Sequence, residues 1–135
     1  MAGTTSADAL LSAYPDQVQR LAHEARDCIA RWLPDASEKV DVPSRLIAYS
    51  HGPGYKGAVC TLILSKTGIK LGLVGGATLP DPHRLLAGSG KVHRHVQLSQ
   101  PADLHQPGLK ELVHESSAAC RKRLGEPRGR PRARA

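Results

Sequence analysis

A short glycine-rich stretch in the second half of the chain carries the residue types best suited to bind an anion or a metal. It runs from Leu85 to Gln100 and combines Gly88, Gly90 and Lys91 with a His-x-His pair. Glycine-rich loops bind phosphate through backbone N–H groups when a lysine and a helix follow them. Histidines at alternate positions of a strand can share a metal ion. A phosphate loop, a metal pair and a plain turn are therefore the three hypotheses to compare.

The GSGK segment does not fit a nucleotide-triphosphate loop. That motif needs a glycine five positions before the second glycine and a Ser or Thr after the lysine, whereas this chain has Leu85 and Val92 there. The residues after Lys91 have the pattern of a strand, so no helix N-terminus would face a phosphate. The segment predicts a turn into a strand, and the backbone N–H groups of Ser89 and Gly90 beside Lys91 are still suited to a smaller anion.

The period of a strand places His93 and His95 on one side of the segment VHRHVQL. Two imidazoles at this spacing can chelate, but a metal site needs a third or fourth ligand. The other five histidines have no recognisable ligand spacing. Two exposed imidazoles on a solvated sheet face are the favoured interpretation, and no metal ligand is assigned among them.

Arg94 falls on the opposite side of the same strand, together with Val96 and Leu98. A guanidinium on an apolar face is costly unless a carboxylate or backbone carbonyls accept its hydrogen bonds. Glu38 and Asp41 are the nearest carboxylates by chain position, and the sequence does not choose between them and the backbone. We expect Arg94 to stabilise the edge of the sheet through its fork of donors.

Two amphipathic helices bracket these residues. Apolar residues at spacings of three and four predict one helix from Pro15 to Trp32 and another from Gly108 to Leu124. A shorter helix, from Ala7 to Ala13, is predicted before the first of them. Pro34 ends the first pattern and Gly125 is a natural C-cap for the second.

Between the helices the period changes to two, which predicts strands. SKTG, at residues 65–68, is short enough to be a hairpin turn, and residues 79–87 predict a turn with a brief helix. The sequence therefore predicts an α+β fold with an antiparallel sheet of about five strands and both long helices on one face. The predicted strands span residues 39–42, 45–50, 58–65, 69–74 and 92–98.

The composition favours one domain, residues 1–124, followed by a disordered basic tail, residues 125–135. No apolar run approaches the roughly 18 residues of a membrane span, and the amino end lacks the pattern of a signal peptide. We therefore expect a soluble, cytoplasmic protein. Cys28, Cys60 and Cys120 are dispersed and fall on apolar faces, which indicates buried thiols rather than disulfides or a zinc site.

The net charge of +7 is partly explained by the tail, which holds four arginines and one glutamate. The remaining 124 residues are only mildly basic, so solubility accounts for their charge without a polyanionic partner. Nucleic acid is expected only at the tail. No catalytic triad order, paired-carboxylate motif, HExxH or dinucleotide fingerprint is present, and an enzyme is the least supported class.

The chain resembles the YdhG-like proteins, a bacterial family of unknown function, over roughly Leu10 to Leu124. The likeness rests on a Tyr-Pro pair before an amphipathic helix, on the segment DVPS, and on a late G-x-G-K…R-H element. The resemblance implies a compact helix–sheet–helix fold similar to frataxin. It also groups one set of residues as a ligand-binding edge for a small anion or a protein partner: Gly88, Gly90, Lys91, Arg94 and His95.

Some members of the family that the chain resembles are iron chaperones, so the resemblance implies iron as a possible cofactor. Iron(II) at such surfaces prefers carboxylate oxygens, and frataxin-like sites present them on the first helix and first strand. In this sequence the matching residues are Glu24, Asp27, Glu38 and Asp41. Arginines interleave with them, so a solvated helix face with Glu/Arg pairs is the alternative interpretation.

The tail contains PRGRPR, from Pro127 to Arg132, which matches the core of the AT-hook, a minor-groove DNA-binding motif. Glycine adds no bulk in a narrow groove, and the flanking arginines are attracted by its negative potential. The residues that would contact DNA are Arg128, Gly129, Arg130, Pro131 and Arg132. A solvated tail without a specific role is the alternative.

Truncation at Gly125 tests the AT-hook interpretation. Because Arg128 and Arg130 would enter the minor groove, the truncated chain should bind AT-rich duplex more weakly than the full chain. The measurement is the dissociation constant across a salt series. Equal affinities of the two chains at every salt concentration would contradict the motif.

Overall fold

The computed structural model describes residues 6–125 and contains one antiparallel sheet of five strands. The strands follow one another across the sheet in chain order, and each pairs antiparallel with the next. The predicted hairpin at residues 65–68 is confirmed, since Leu64 pairs with Ile69. The strands are β1, Ser37–Asp41; β2, Leu46–Ser50; β3, Ala58–Leu64; β4, Ile69–Leu73; and β5, Arg94–Leu98.

Three α-helices flank the sheet in the chain: α1, Ser6–Leu11; α2, Asp16–Trp32; and α3, Leu109–Arg123. The apolar stripe of α2 is buried as its spacing predicts, and Leu112, Val113 and Cys120 of α3 are buried in the same core. Both long helices contact the sheet, α3 against β3 and α2 against β4. The predicted α+β fold is confirmed.

One face of the sheet forms the floor of the core. The register aligns Ile47, Leu62, Leu71 and Val96 across four strands, and all four are buried. Their neighbours along each strand point the other way because side chains alternate across a sheet. Ile63, Lys70 and Gln97 are accordingly exposed on the second face, which we call the open face.

The structure differs from the sequence prediction at three places outside the core. The brief helix expected at residues 79–87 is wrong: this segment is irregular, and a short 3₁₀ helix lies before it at Gly76–Thr78. Asp81 orders the segment instead, because its carboxylate accepts the backbone N–H groups of Leu85 and Leu86, each at 2.9 Å. Pro15 precedes the first residue of α2 with an extended backbone, and β5 begins at Arg94 rather than Val92.

The three cysteines are free and buried, as predicted. Burial raises the pKa of all three thiols, that of Cys60 to about 12. A thiol that holds its proton at neutral pH is a poor nucleophile and a poor metal ligand. These cysteines therefore act as small apolar core residues. In the part of the chain that is described, no helix has the length and apolar character needed to cross a membrane.

Adjacent residues of β3 test the assignment of the two faces. Leu62→Ala should lower the free energy of unfolding by about 2–5 kcal/mol, because the truncation leaves a cavity in the core. Ile63→Ala, at a side chain 38% exposed on the open face, should cost less than about 1 kcal/mol. Urea denaturation of both variants measures the difference. Similar losses at the two positions would contradict the assignment.

Candidate functional site

The open face carries a concave site of about 350 Å³ where β3, β4 and β5 meet the loops at one end of the sheet. Its volume lies at the lower end of the range of small-molecule sites, about 300–1,000 Å³. The lining residues combine apolar side chains with two histidines, an arginine and the hydroxyl-bearing residues Tyr55 and Thr61. The lining residues are Tyr55, Thr61, Ile63, Gly72, Leu73, Val74, His93, Arg94 and His95.

Gly72 forms the floor of the concave site. The register places it between Thr61 and His95 on the open face. A Cβ at Gly72 would lie only 2.8 Å from Thr61 Oγ1 and 3.6 Å from Ile63 Cδ1. The absence of a side chain at this strand position therefore creates much of the space, and it leaves the hydroxyl of Thr61 beside it.

Tyr55 forms one wall and is held by α3 from behind. The tyrosine lies in the loop between β2 and β3 and is 57% exposed. Arg123 of α3 donates from Nη2 to the carbonyl of Ala58 at 2.7 Å, and its guanidinium lies 6.0 Å from the centre of the Tyr55 ring. The loop is thus anchored to α3 directly after Tyr55, which leaves an exposed aromatic ring in a defined position.

His93 forms the next part of the wall. Its ring meets the Tyr55 ring edge-on, with 5.7 Å between centroids. Its Nδ1 accepts the backbone N–H of Gly75 at 3.1 Å. In the neutral imidazole the proton therefore resides on Nε2, which is the nitrogen that remains available as a donor.

Arg94 has a backbone carbonyl as its partner, and the carboxylates suggested by chain position do not contact it. Its Nε donates to the carbonyl of Gly90 at 2.6 Å, which closes the loop that precedes β5. Among residues 6–125 the two Nη atoms of Arg94 make no hydrogen bond or ion pair. One side of the guanidinium stabilises the turn, and the other is available to an anion.

Gly88 and Gly90 allow the loop to approach β5 closely. Gly88 has φ +103°, a left-handed conformation that favours glycine, and a Cβ there would lie 3.4 Å from the ring of His95. At Gly90 a Cβ would lie 2.6 Å from the carbonyl oxygen of His93. Ala87 exchanges two backbone hydrogen bonds with His95, so the loop covers the outer edge of β5.

The structure therefore brings four of the five predicted ligand-binding residues together: Gly88, Gly90, Arg94 and His95 contact one another at the start of β5. Lys91 is in the same loop, exposed, and does not line the concave site. The glycines shape the loop, whereas Arg94 and His95 line the space in which a ligand would lie.

Sequence reasoning missed the other half of the site. Tyr55 and Gly72 lie 17 residues apart in the chain, and only the pairing of β3 with β4 brings their surroundings to one place. One sequence signal was available: a glycine inside a strand pattern often marks a close approach or an open space. Gly72 interrupts IKLGLV in this way.

The four residues expected to bind iron do not form a site. Arg26 donates to both carboxylate oxygens of Glu38, at 2.8 and 3.0 Å, and the hydroxyl of Tyr49 donates to the same carboxylate at 2.7 Å. Asp41 accepts the backbone N–H of Ser44 in the β1–β2 turn. Glu24 and Asp27 are exposed on α2. Within residues 6–125 no group of three or more His, Cys, Asp or Glu side chains could hold a metal ion.

No family model, curated protein or solved structure matches the chain. The resemblance to the YdhG-like proteins, and the iron binding that it implies, therefore stay predictions. The AT-hook residues Arg128 to Arg132 lie outside the described residues. The proposals that follow rest on the geometry of the concave site and of the open face.

The cluster of Arg26, Glu38 and Tyr49 predicts how the stability of the protein depends on pH. The hydrogen bonds from Arg26, and then that from Tyr49, lower the pKa of Glu38 below its ordinary value of 4.5. The folded state therefore binds this proton less readily than the unfolded state. The stabilisation of the fold by the Glu38 carboxylate is complete above its ordinary pKa. It is lost as the pH falls through the lowered pKa of Glu38 in the folded protein. Wild-type melting temperature should fall more steeply below about pH 4.5 than that of Glu38→Gln.

Glu24→Gln is the matched control for this measurement, because Glu24 is an exposed glutamate on α2 that makes no side-chain hydrogen bond or ion pair with residues 6–125. Its melting profile between acidic and neutral pH should follow that of the wild type. A Glu38→Gln profile identical to the wild type would show that the Arg26–Glu38–Tyr49 cluster does not contribute to acid sensitivity.

Proposed function

We propose that the protein is a cytoplasmic, non-enzymatic binding domain that holds a small anionic ligand with an apolar part in the concave site of the open face. The observation that carries this proposal is that only one nitrogen of the Arg94 guanidinium is hydrogen-bonded within the protein. Its Nε is bound to Gly90, its Nη atoms have no partner among the described residues, and Arg94 is one of the residues that line a space of about 350 Å³. Guanidinium groups bind carboxylates and phosphates through paired N–H donors.

The remaining lining favours a ligand that is more than a simple ion. Ile63 and Tyr55 expose apolar surface there, since the two residues are 38% and 57% exposed. Exposed apolar side chains around a few convergent polar groups are typical of sites that bind small organic molecules. The ligand we propose has one anionic group near Arg94 and His95 and an apolar body above Gly72.

Titration calorimetry with benzoate, acetate and inorganic phosphate tests the proposal. Benzoate should bind more tightly than acetate, because its ring buries apolar surface against Ile63 and Tyr55. Gly72→Val should weaken benzoate binding by about tenfold or more, since the valine side chain occupies the floor. Ala48→Val is the control, because it adds bulk to the open face at a residue outside the concave site. It should leave binding unchanged.

Two further variants separate ligand binding from a structural role. Arg94→Ala should abolish benzoate binding, and Lys91→Ala should weaken it only slightly. If both variants leave the affinity for all three anions unchanged while they lower the melting temperature, these residues only hold the turn. Failure of all three anions to bind the wild-type protein would also contradict the proposal.

A further inference from the structure

The acidic residues of the chain are unevenly distributed along it. Residues 42–102 contain seven lysines and arginines and a single acidic residue, Asp81. The other eleven acidic residues lie before residue 42 or after residue 102. The mild average charge of the domain therefore conceals a strongly basic half. The basic residues of this segment are Arg45, Lys56, Lys66, Lys70, Arg84, Lys91 and Arg94.

The carboxylates in or beside this basic half are already engaged. Both oxygens of Asp81 accept backbone N–H groups, from Leu85 and Leu86. Asp41, the one acidic residue whose register places it on the open face, accepts the N–H of Ser44 at 3.3 Å. Lys39 and Lys70 lie on the open face as well and are exposed. The open face thus presents one cation on β1 and one on β4.

Basic loops extend this surface at both ends of the sheet. Arg45 and Lys66 are exposed in the β1–β2 and β3–β4 turns, at the end away from the concave site. Lys56 and Lys91 are exposed in the loops beside the concave site. Strands of five residues span about 17 Å. The exposed cations of the open face and of these loops form a surface that we call the basic track. A small ion in the concave site would contact only one end of the basic track.

We propose that the open face binds single-stranded nucleic acid, with the backbone phosphates along the basic track and one base stacked on Tyr55 in the concave site. The inference extends the proposed function, since the anionic group at Arg94 is then a phosphate and the apolar part is a base. Single-stranded nucleic acid is bound by basic grooves that carry exposed aromatic side chains, because every base has a face that can stack. Tyr55 is such a side chain.

The shape of the open face favours a single strand over a duplex. Duplex DNA is read by a helix or a ribbon that enters a groove. The open face is a sheet surface, and the long helices α2 and α3 pack on the opposite side. A sheet surface can instead support unpaired bases laid against it, with their backbone exposed to lysines. An acidic peptide would satisfy the lysines but would not use the exposed ring of Tyr55.

Fluorescence anisotropy with short labelled oligo(U) and oligo(dT) tests the inference on the full-length chain. The chain carries Arg128→Ala, Arg130→Ala, Arg132→Ala and Arg134→Ala throughout, so that the arginines of the tail do not contribute. Binding should weaken with salt, and Lys70→Gln should reduce the slope of log affinity against log salt by about 0.7, the value for one lost phosphate contact. Lys110→Gln, at an exposed lysine on α3, should leave the slope unchanged.

The aromatic contact is tested at Tyr55, whose exposure makes substitutions compatible with folding. Tyr55→Leu should weaken oligonucleotide binding by at least about fivefold, because the stacking ring is lost. Tyr55→Phe keeps the ring and should bind like the parent chain. Equal binding of the Leu and Phe variants would overturn the stacking contact.

The outcomes distinguish this inference from the proposed function. Benzoate binding without oligonucleotide binding at low salt overturns the inference and leaves the proposed function intact. Oligonucleotide binding that responds to both Lys70→Gln and Gly72→Val, without benzoate binding, overturns the proposed small-molecule ligand alone. The inference is overturned if Lys70→Gln and Lys110→Gln weaken oligonucleotide binding equally. It is also overturned if polyglutamate, or a duplex of equal length, binds as tightly as the single strand.

Discussion

Burial of one face of the sheet beneath α2 and α3 is the constraint on which the rest of the molecule depends. The central row of that face, Ile47, Leu62, Leu71 and Val96, is at most 2% exposed. Burying one such side chain stabilises the fold by about 1.5–3 kcal/mol, so a slip in register that moved the row to solvent would be strongly unfavourable. Because side chains alternate along each strand, the same register fixes the open face.

The open face can hold a concave site because its residues do not pack beneath a helix. A strand position beneath a helix must fill space, whereas Gly72 on the open face leaves a gap that no helix fills. The loops at one end then complete the site. Arg123 and Ser116 of α3 bind the backbone at Ala58 and Val59, so the helix layer also positions the loop that carries Tyr55. The two layers are connected at the residues that border the concave site.

Glu38 and Arg94 show that a charged side chain can be occupied by contacts within the fold or remain partly available to a ligand. Glu38 is at one edge of the sheet and accepts three hydrogen bonds, two from Arg26 and one from Tyr49. Arg94 is at the other edge and gives one nitrogen to Gly90. Chain position suggested that these two charges would meet. Four intervening strand pairings separate them, because β1 and β5 are the two edges of the sheet.

The sequence by itself determined the order of elements, the apolar stripes of both long helices, the β3–β4 hairpin and the burial of the cysteines, since each depends on local spacing. It also located the loop before β5, because glycine and lysine patterns are local. Only the tertiary structure decided that Tyr55 and Gly72 join Arg94 and His95, that Glu38 is paired with Arg26 and Tyr49, and that Lys39 and Lys70 share the open face. These features depend on which strands pair and which face is covered, and no short stretch of sequence contains that information.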